Sequence, residues 1–90
     1  MRNSPDLFDS IGDEIMRRVH ERGAGKTICP SEVARALADN DDAWRALMPS
    51  VRAVAAHLSQ SGKIVVTQKG APVDAETARG PIRLGLPNGR

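Results

Sequence analysis

Trp44-Arg45-Ala46-Leu47-Met48-Pro49-Ser50-Val51-Arg52-Ala53-Val54-Ala55-Ala56-His57-Leu58 is the stretch that decides the fold. When each residue advances by about 100°, Trp44, Leu47, Met48, Val51, Val54, Ala55 and Leu58 fall on one arc. A stripe this continuous has to be covered, so the rest of the chain must supply a lid for it. Asp39-Asn40-Asp41-Asp42 forms a turn and an N-terminal cap before the helix, and Gly62 stops it. Pro49 lacks the N–H that a helix interior needs, so the spacing predicts either a kink there or a helix that properly begins near Leu47.

Upstream, Leu7, Phe8, Ile11, Ile15 and Val19 recur at helical spacing. Ser4-Pro5-Asp6 reads as the start of this helix and Gly23 as its end, giving a first helix over about 5–22. Gly12 weakens its middle. Lys26-Thr27-Ile28-Cys29 is short and β-prone, the size of one edge strand. A second helix restarts at Pro30, with Cys29 at the cap position and Glu32 three residues on, a capping box with a thiol in place of a hydroxyl. Val33, Ala34 and Leu37 are its expected buried side.

Downstream, Lys63-Ile64-Val65-Val66-Thr67-Gln68-Lys69 is a strand by its β-branched content. Gly70-Ala71-Pro72-Val73-Asp74 turns, and Ala75 to Arg79 suits a helical turn at a tip. Ile82-Arg83-Leu84-Gly85-Leu86 alternates, with its three aliphatics on one face. The order predicts an α+β, mainly α, winged helix-turn-helix. It has three helices, a C-terminal two-stranded β-wing with a long loop over 70–80, and a short third strand near 27–29. One domain over 1–90, with a core of about 5–87, suits this length.

The 90 residues carry one Phe, one Trp and no Tyr, so the core must be aliphatic, with Trp44 and Phe8 its expected large anchors. A single cysteine excludes an internal disulfide and a zinc site built on cysteine pairs. No stretch approaches the roughly 20 apolar residues of a membrane span. The N-terminus lacks the apolar run of a secretion signal, so a reduced, cytoplasmic setting is expected. Residues 1–43 carry six basic and nine acidic side chains, a net −3, whereas residues 44–90 carry seven basic and two acidic, a net +5. That polarity points the second half toward an anionic partner, although scatter on a short chain would also produce it.

Several stretches also resemble one family. They are Ile28-Cys29-Pro30-Ser31-Glu32-Val33-Ala34-Arg35-Ala36-Leu37, Trp44 to Arg52, Gly62 to Gly70 and Ala78 to Arg83. Over about residues 10–87 the chain is similar to an uncharacterised bacterial family of short proteins, a domain of unknown function. The resemblance implies a winged-helix fold and carries no activity with it.

Candidate sites follow from residue chemistry. Gly25-Lys26-Thr27 imitates the end of a phosphate-binding loop. The glycine that loop needs at position 20 is His20, and a strand should precede it where a helix does. Cys29 at a helix N-terminus has a partner in neither His20 nor His57, so no nucleophile–base pair is expected. Two His and one Cys make a poor metal set. No cofactor, small-molecule substrate or enzymatic activity is expected.

In a winged helix the third helix reads DNA, yet its outward face carries only Ala46, Pro49, Ala53, Ala56, His57 and Gln60, with little to read bases. Asp39, Asp41 and Asp42 would repel phosphates at its start. The expected nucleic-acid contacts are therefore Arg45 and Arg52 on the helix flank and Lys63, Lys69 and Arg79 on the wing. They would hold double-stranded DNA mainly by its phosphates. Arg83 also sits on the hairpin, opposed only by Asp74 and Glu76. The alternatives are a solvated hairpin whose cations protect a sheet edge, and a protein-interaction module or homodimer using the small-residue helix face.

Overall fold

The computed structural model describes residues 7–87. Three helices, α1 (Leu7–Arg22), α2 (Pro30–Leu37) and α3 (Asp41–Gln60), pack against a small antiparallel sheet. Its strands are β1 (Thr27–Ile28), β2 (Val65–Gln68), β3 (Ala71–Pro72) and β4 (Arg83–Gly85), in the spatial order β1-β4-β2-β3. This is the expected α+β order, winged-helix-like, with the short strand near 27–29 in place and paired to β4. The proposed Ser4-Pro5-Asp6 start of α1 lies outside the described residues.

The core is aliphatic throughout. Ile11, Ile15 and Val19 of α1, Val33 and Ala34 of α2, and Val51, Val54, Ala55 and Leu58 of α3 are buried against Ile28, Ile64, Val66, Ile82 and Leu84. The strand alternation puts Val66, Leu84 and Ile28 side by side on the inner face and turns Val65 and Arg83 outward. Trp44, Leu47 and Met48 pack against the edge of this core, half-buried. Two residues expected inside are not: the anchor Phe8 is 50% exposed, and Leu37, expected on the buried side of α2, is 37% exposed. Both sit at helix ends, Phe8 in the first turn of α1 and Leu37 in the last of α2, outside the helix–helix packing that buries the middles of these helices.

α3 runs unbroken from Asp41 through Pro49, so it does not begin near Leu47. Asn40 explains the earlier start: its side-chain oxygen accepts the Ala43 N–H at 2.9 Å. The bond Pro49 cannot make would have gone to the Arg45 carbonyl, and both residues are exposed, so water can serve that oxygen. At the other end, Lys63 N–H donates to Leu58 O at 2.9 Å and Gly62 N–H to Ser59 O at 3.0 Å. Gly62 has φ +80°, completing a Schellman cap. At α2, the Glu32 carboxylate accepts the Cys29 N–H at 3.1 Å and the Glu32 N–H donates to the Cys29 carbonyl at 2.9 Å. The Cys29 thiol contacts Ser31 Oγ at 3.1 Å.

The segment expected as a long wing loop is folded. Lys69 (φ 54°) and Gly70 (φ +83°) form a two-residue turn, and Ala71–Pro72 pairs back on β2 as Gln68↔Ala71 and Thr67↔Pro72. The wing's tip is therefore Lys69-Gly70. Residues 75–79 are not at the tip: they return to α3, where Ala75 is 1% exposed and covers Ala56, itself 6% exposed. Ala56 is thus a core residue and not part of an outward face. Asp74 shapes the return, accepting Glu76 N–H on its side chain at 2.8 Å and Ala78 N–H on its carbonyl at 2.9 Å.

Candidate nucleic-acid interface

The cations named from sequence occupy four separate places. Lys69, at the exposed turn, and Arg79 line one open depression together with Arg83, Gln68 and Pro81. No acidic residue lines it. Register builds this convergence: Thr67 pairs with Arg83 across β2 and β4, and Gln68 lies one position nearer the turn. The Gln68 amide then donates to the carbonyls of Arg79 and of Pro81, the latter at 3.1 Å, which draws the 79–81 segment onto β2.

Arg83 is the contributor missing from the set named from sequence. Its guanidinium donates to Thr27 Oγ1 at 2.9 Å and to the Thr27 carbonyl at 3.2 Å, reaching across the sheet to β1. Arg22 donates to the same carbonyl at 2.8 Å, so two guanidiniums share one oxygen beside the depression. Glu32 offsets the second charge, accepting from Arg22 at 2.7 Å. The outward alternation of Arg83 was readable in the strand pattern; its meeting with Lys69 and Arg79 required the register.

Arg52 is committed differently. One of its terminal nitrogens donates to Ala75 O (3.3 Å) and Ala78 O (2.9 Å), the other to Gly80 O (2.6 Å). The side chain is half-buried and braces α3 to the returning wing segment. Arg45 is exposed beside Trp44, its guanidinium carbon 5.2 Å from the ring centroid, while Arg35 covers the ring at 4.4 Å. Lys63 lies past the end of α3, on a groove between α1 and α3, away from the wing tip.

The outward part of α3 is flanked by acids. Asp41 and Asp42 occupy its first turn, and Glu76 lies beside Met48, Pro49 and Arg52. On α1 and between α1 and α2, Glu14 binds Arg17 and Arg18 at 2.6 Å each, and Glu32 binds Arg22 at 2.7 Å with Arg18 at 3.7 Å. The hydrogen bond from Arg17, then that from Arg18, holds the Glu14 carboxyl below the usual range against the opposing effect of burial. For Glu32, partial burial pushes upward, but the Cys29 N–H and the Arg22 and Arg18 charges outweigh it and the net shift is downward.

The other candidates remain apart. His20 Nδ1 lies 2.8 Å from Met16 O within its own helix, and His57 is exposed on α3. Gly25-Lys26-Thr27 connects α1 to β1, with helix before strand, the reverse of a phosphate-binding loop. Among the described residues no group of three His, Cys, Asp or Glu is placed to hold a metal ion, and no helix is long and apolar enough to cross a membrane.

A fold of this kind, with a cationic depression on the hairpin, defines a small winged-helix-like α+β domain. The chain belongs to the family described as protein of unknown function (DUF3253), whose model matches residues 9–87. Comparison with curated proteins finds no match.

Proposed function

We propose that this domain is a winged helix that binds nucleic acid, double-stranded DNA first, mainly through phosphate contacts with low sequence selectivity. The observation that carries the reading is the convergence of Lys69, Arg79 and Arg83 on one depression without an acidic lining. Arg45 is a flanking contact. Arg52 acts through the wing it braces, and Lys63 faces elsewhere. The small, acid-flanked outer face of α3 argues against base reading by that helix. The role is non-enzymatic, needs no cofactor, and belongs to a reducing, cytoplasmic setting.

Titrating a random duplex against salt tests this. Lys69, Arg79, Arg83 and the flanking Arg45, each neutralising one phosphate, give a log–log slope of about −3.6. Absence of binding at low salt, or binding without a salt slope, would overturn the reading.

A second reading, a protein-interaction module that never touches DNA, is favoured by the acids around α3: Asp41, Asp42 and Glu76. Replacing both Lys69 and Arg79, which lie off α3, with Glu separates the two. DNA binding collapses under the first reading, whereas protein capture through α3 survives under the second.

A further inference from the structure

α1 and α3 leave an open groove between them that the nucleic-acid reading does not use. Its apolar lining is Phe8, Met16, Val54 and Leu58, with Gly12 keeping the α1 side low. Phe8, the chain's one phenylalanine, is 50% exposed here and Leu7 beside it is 48% exposed. An aromatic of this size left half in water at the rim of an apolar groove is a knob without a hole.

The charges around the groove say which hole it fits. One wall, on α1, carries Asp9 and Asp13, one helical turn apart; the other carries His57 on α3 and Lys63 just past its end. Asp9, Asp13 and Lys63 take part in none of the ion pairs among the described residues, and all three are exposed. A patch with one acidic and one basic wall is its own complement under a two-fold rotation, which sets each acidic wall against the other copy's basic wall. Two-fold dimers need this self-complementarity: if residue i meets j, then j meets i. A partner with uniformly acidic or uniformly basic charge would be repelled by one wall.

We infer that the α1–α3 groove is a homodimer interface in which each copy places Phe8 in the other's groove, and Asp13 of each copy faces Lys63 of the other. The interface lies apart from the wing cations and stands or falls independently of DNA binding.

Sedimentation equilibrium on the full chain without nucleic acid tests it, using Asp13→Lys and Lys63→Glu separately and mixed. The wild-type chain dimerises in a concentration-dependent way. Each charge-reversed variant alone sets like charges against each other at both symmetry-related contacts and weakens the dimer at least tenfold. Mixing the two restores it, because in the heterodimer both contacts become opposite in sign. Phe8→Ala, at a half-exposed position that leaves the fold intact, also weakens dimerisation at least tenfold. A chain that stays monomeric up to about 1 mM, the weak end of specific association, overturns the inference. So does a dimer indifferent to the charge reversals, or a mixture that does not recover.

Discussion

The Arg52 guanidinium donates to the Gly80 carbonyl at 2.6 Å, tying the middle of α3 to the far end of the wing segment. With its bonds to Ala75 and Ala78, it gathers three carbonyls of a stretch that has no regular ladder of its own. Arg52→Ala is expected to lower stability by about 2–3 kcal/mol, in keeping with lost charge-assisted bonds. It should also speed hydrogen exchange across residues 75–80. Arg52→Lys keeps the charge but not the planar fork, so it recovers only a minor part of the protection. A phosphate-gripping Arg52 would instead leave exchange in the free protein unchanged.

Lys69→Asn separates charge from fold at the wing tip. Lys69 adopts φ 54°, where Asn is better tolerated than Lys, and Asn-Gly is the favoured pair for this turn. Thermal unfolding should show stability unchanged or raised by a few tenths of a kcal/mol. The salt slope of DNA binding should fall in magnitude by about 0.9, one phosphate contact. Equal slopes for the two proteins would remove Lys69 from the contact set.

Two glycines should respond to alanine with opposite signs. A Cβ on Gly85 would stand 3.0 Å from the Lys26 carbonyl oxygen and 3.2 Å from Thr27 Cγ2, so β1 must shift away from β4. Gly85→Ala should cost about 1–3 kcal/mol. A Cβ on Gly12 meets only Val54 Cγ1 at 3.7 Å, ordinary contact inside a helix. Gly12→Ala should therefore stabilise by about 0.5–1 kcal/mol, read by chemical denaturation.

Acid should act through Glu32 and Glu14, whose carboxyls are held below their ordinary range. A depressed folded-state pKa stabilises fully above the free value of about 4.3 and loses that contribution as pH falls through the lower folded value. The melting temperature should therefore be flat near neutrality and decline below about pH 4.3. Glu32→Gln, which loses the Arg22 pair, should be less stable at pH 7 and show a shallower decline. Parallel curves would mean that Glu32 contributes nothing to the acid response.

Local patterns were the readable part of this chain. The Trp44–Leu58 stripe, the Asn40 and Gly62 caps and the Ile82-Leu84-Leu86 alternation all reappear as structure, because each depends on residues a few positions apart. Pro49 misled the reading of α3 because one missing donor on an exposed helix face matters less than a good cap eight or nine residues earlier. Ala56 was misplaced because helical periodicity knows one covering surface, and the returning Ala75 adds a second. Phe8 was expected inside for its size and its place on the helical stripe, but it lies in the first turn of α1, at the rim of the groove with α3 and not in the packed middle of the helix.

The sequence by itself determined the three helices, the strands β1, β2 and β4, their order and the aliphatic core, since backbone periodicity and capping are settled within a turn or two of chain. It did not determine which cations share a surface. Lys69, Arg79 and Arg83 meet through the Thr67↔Arg83 register and the Gln68 amide, while Arg52 leaves the surface to brace the wing. These are contacts between residues far apart in the chain, and no local spacing encodes them. The winged-helix-like order was therefore legible from the start, and the tertiary structure alone moved the candidate interface to one side of the hairpin.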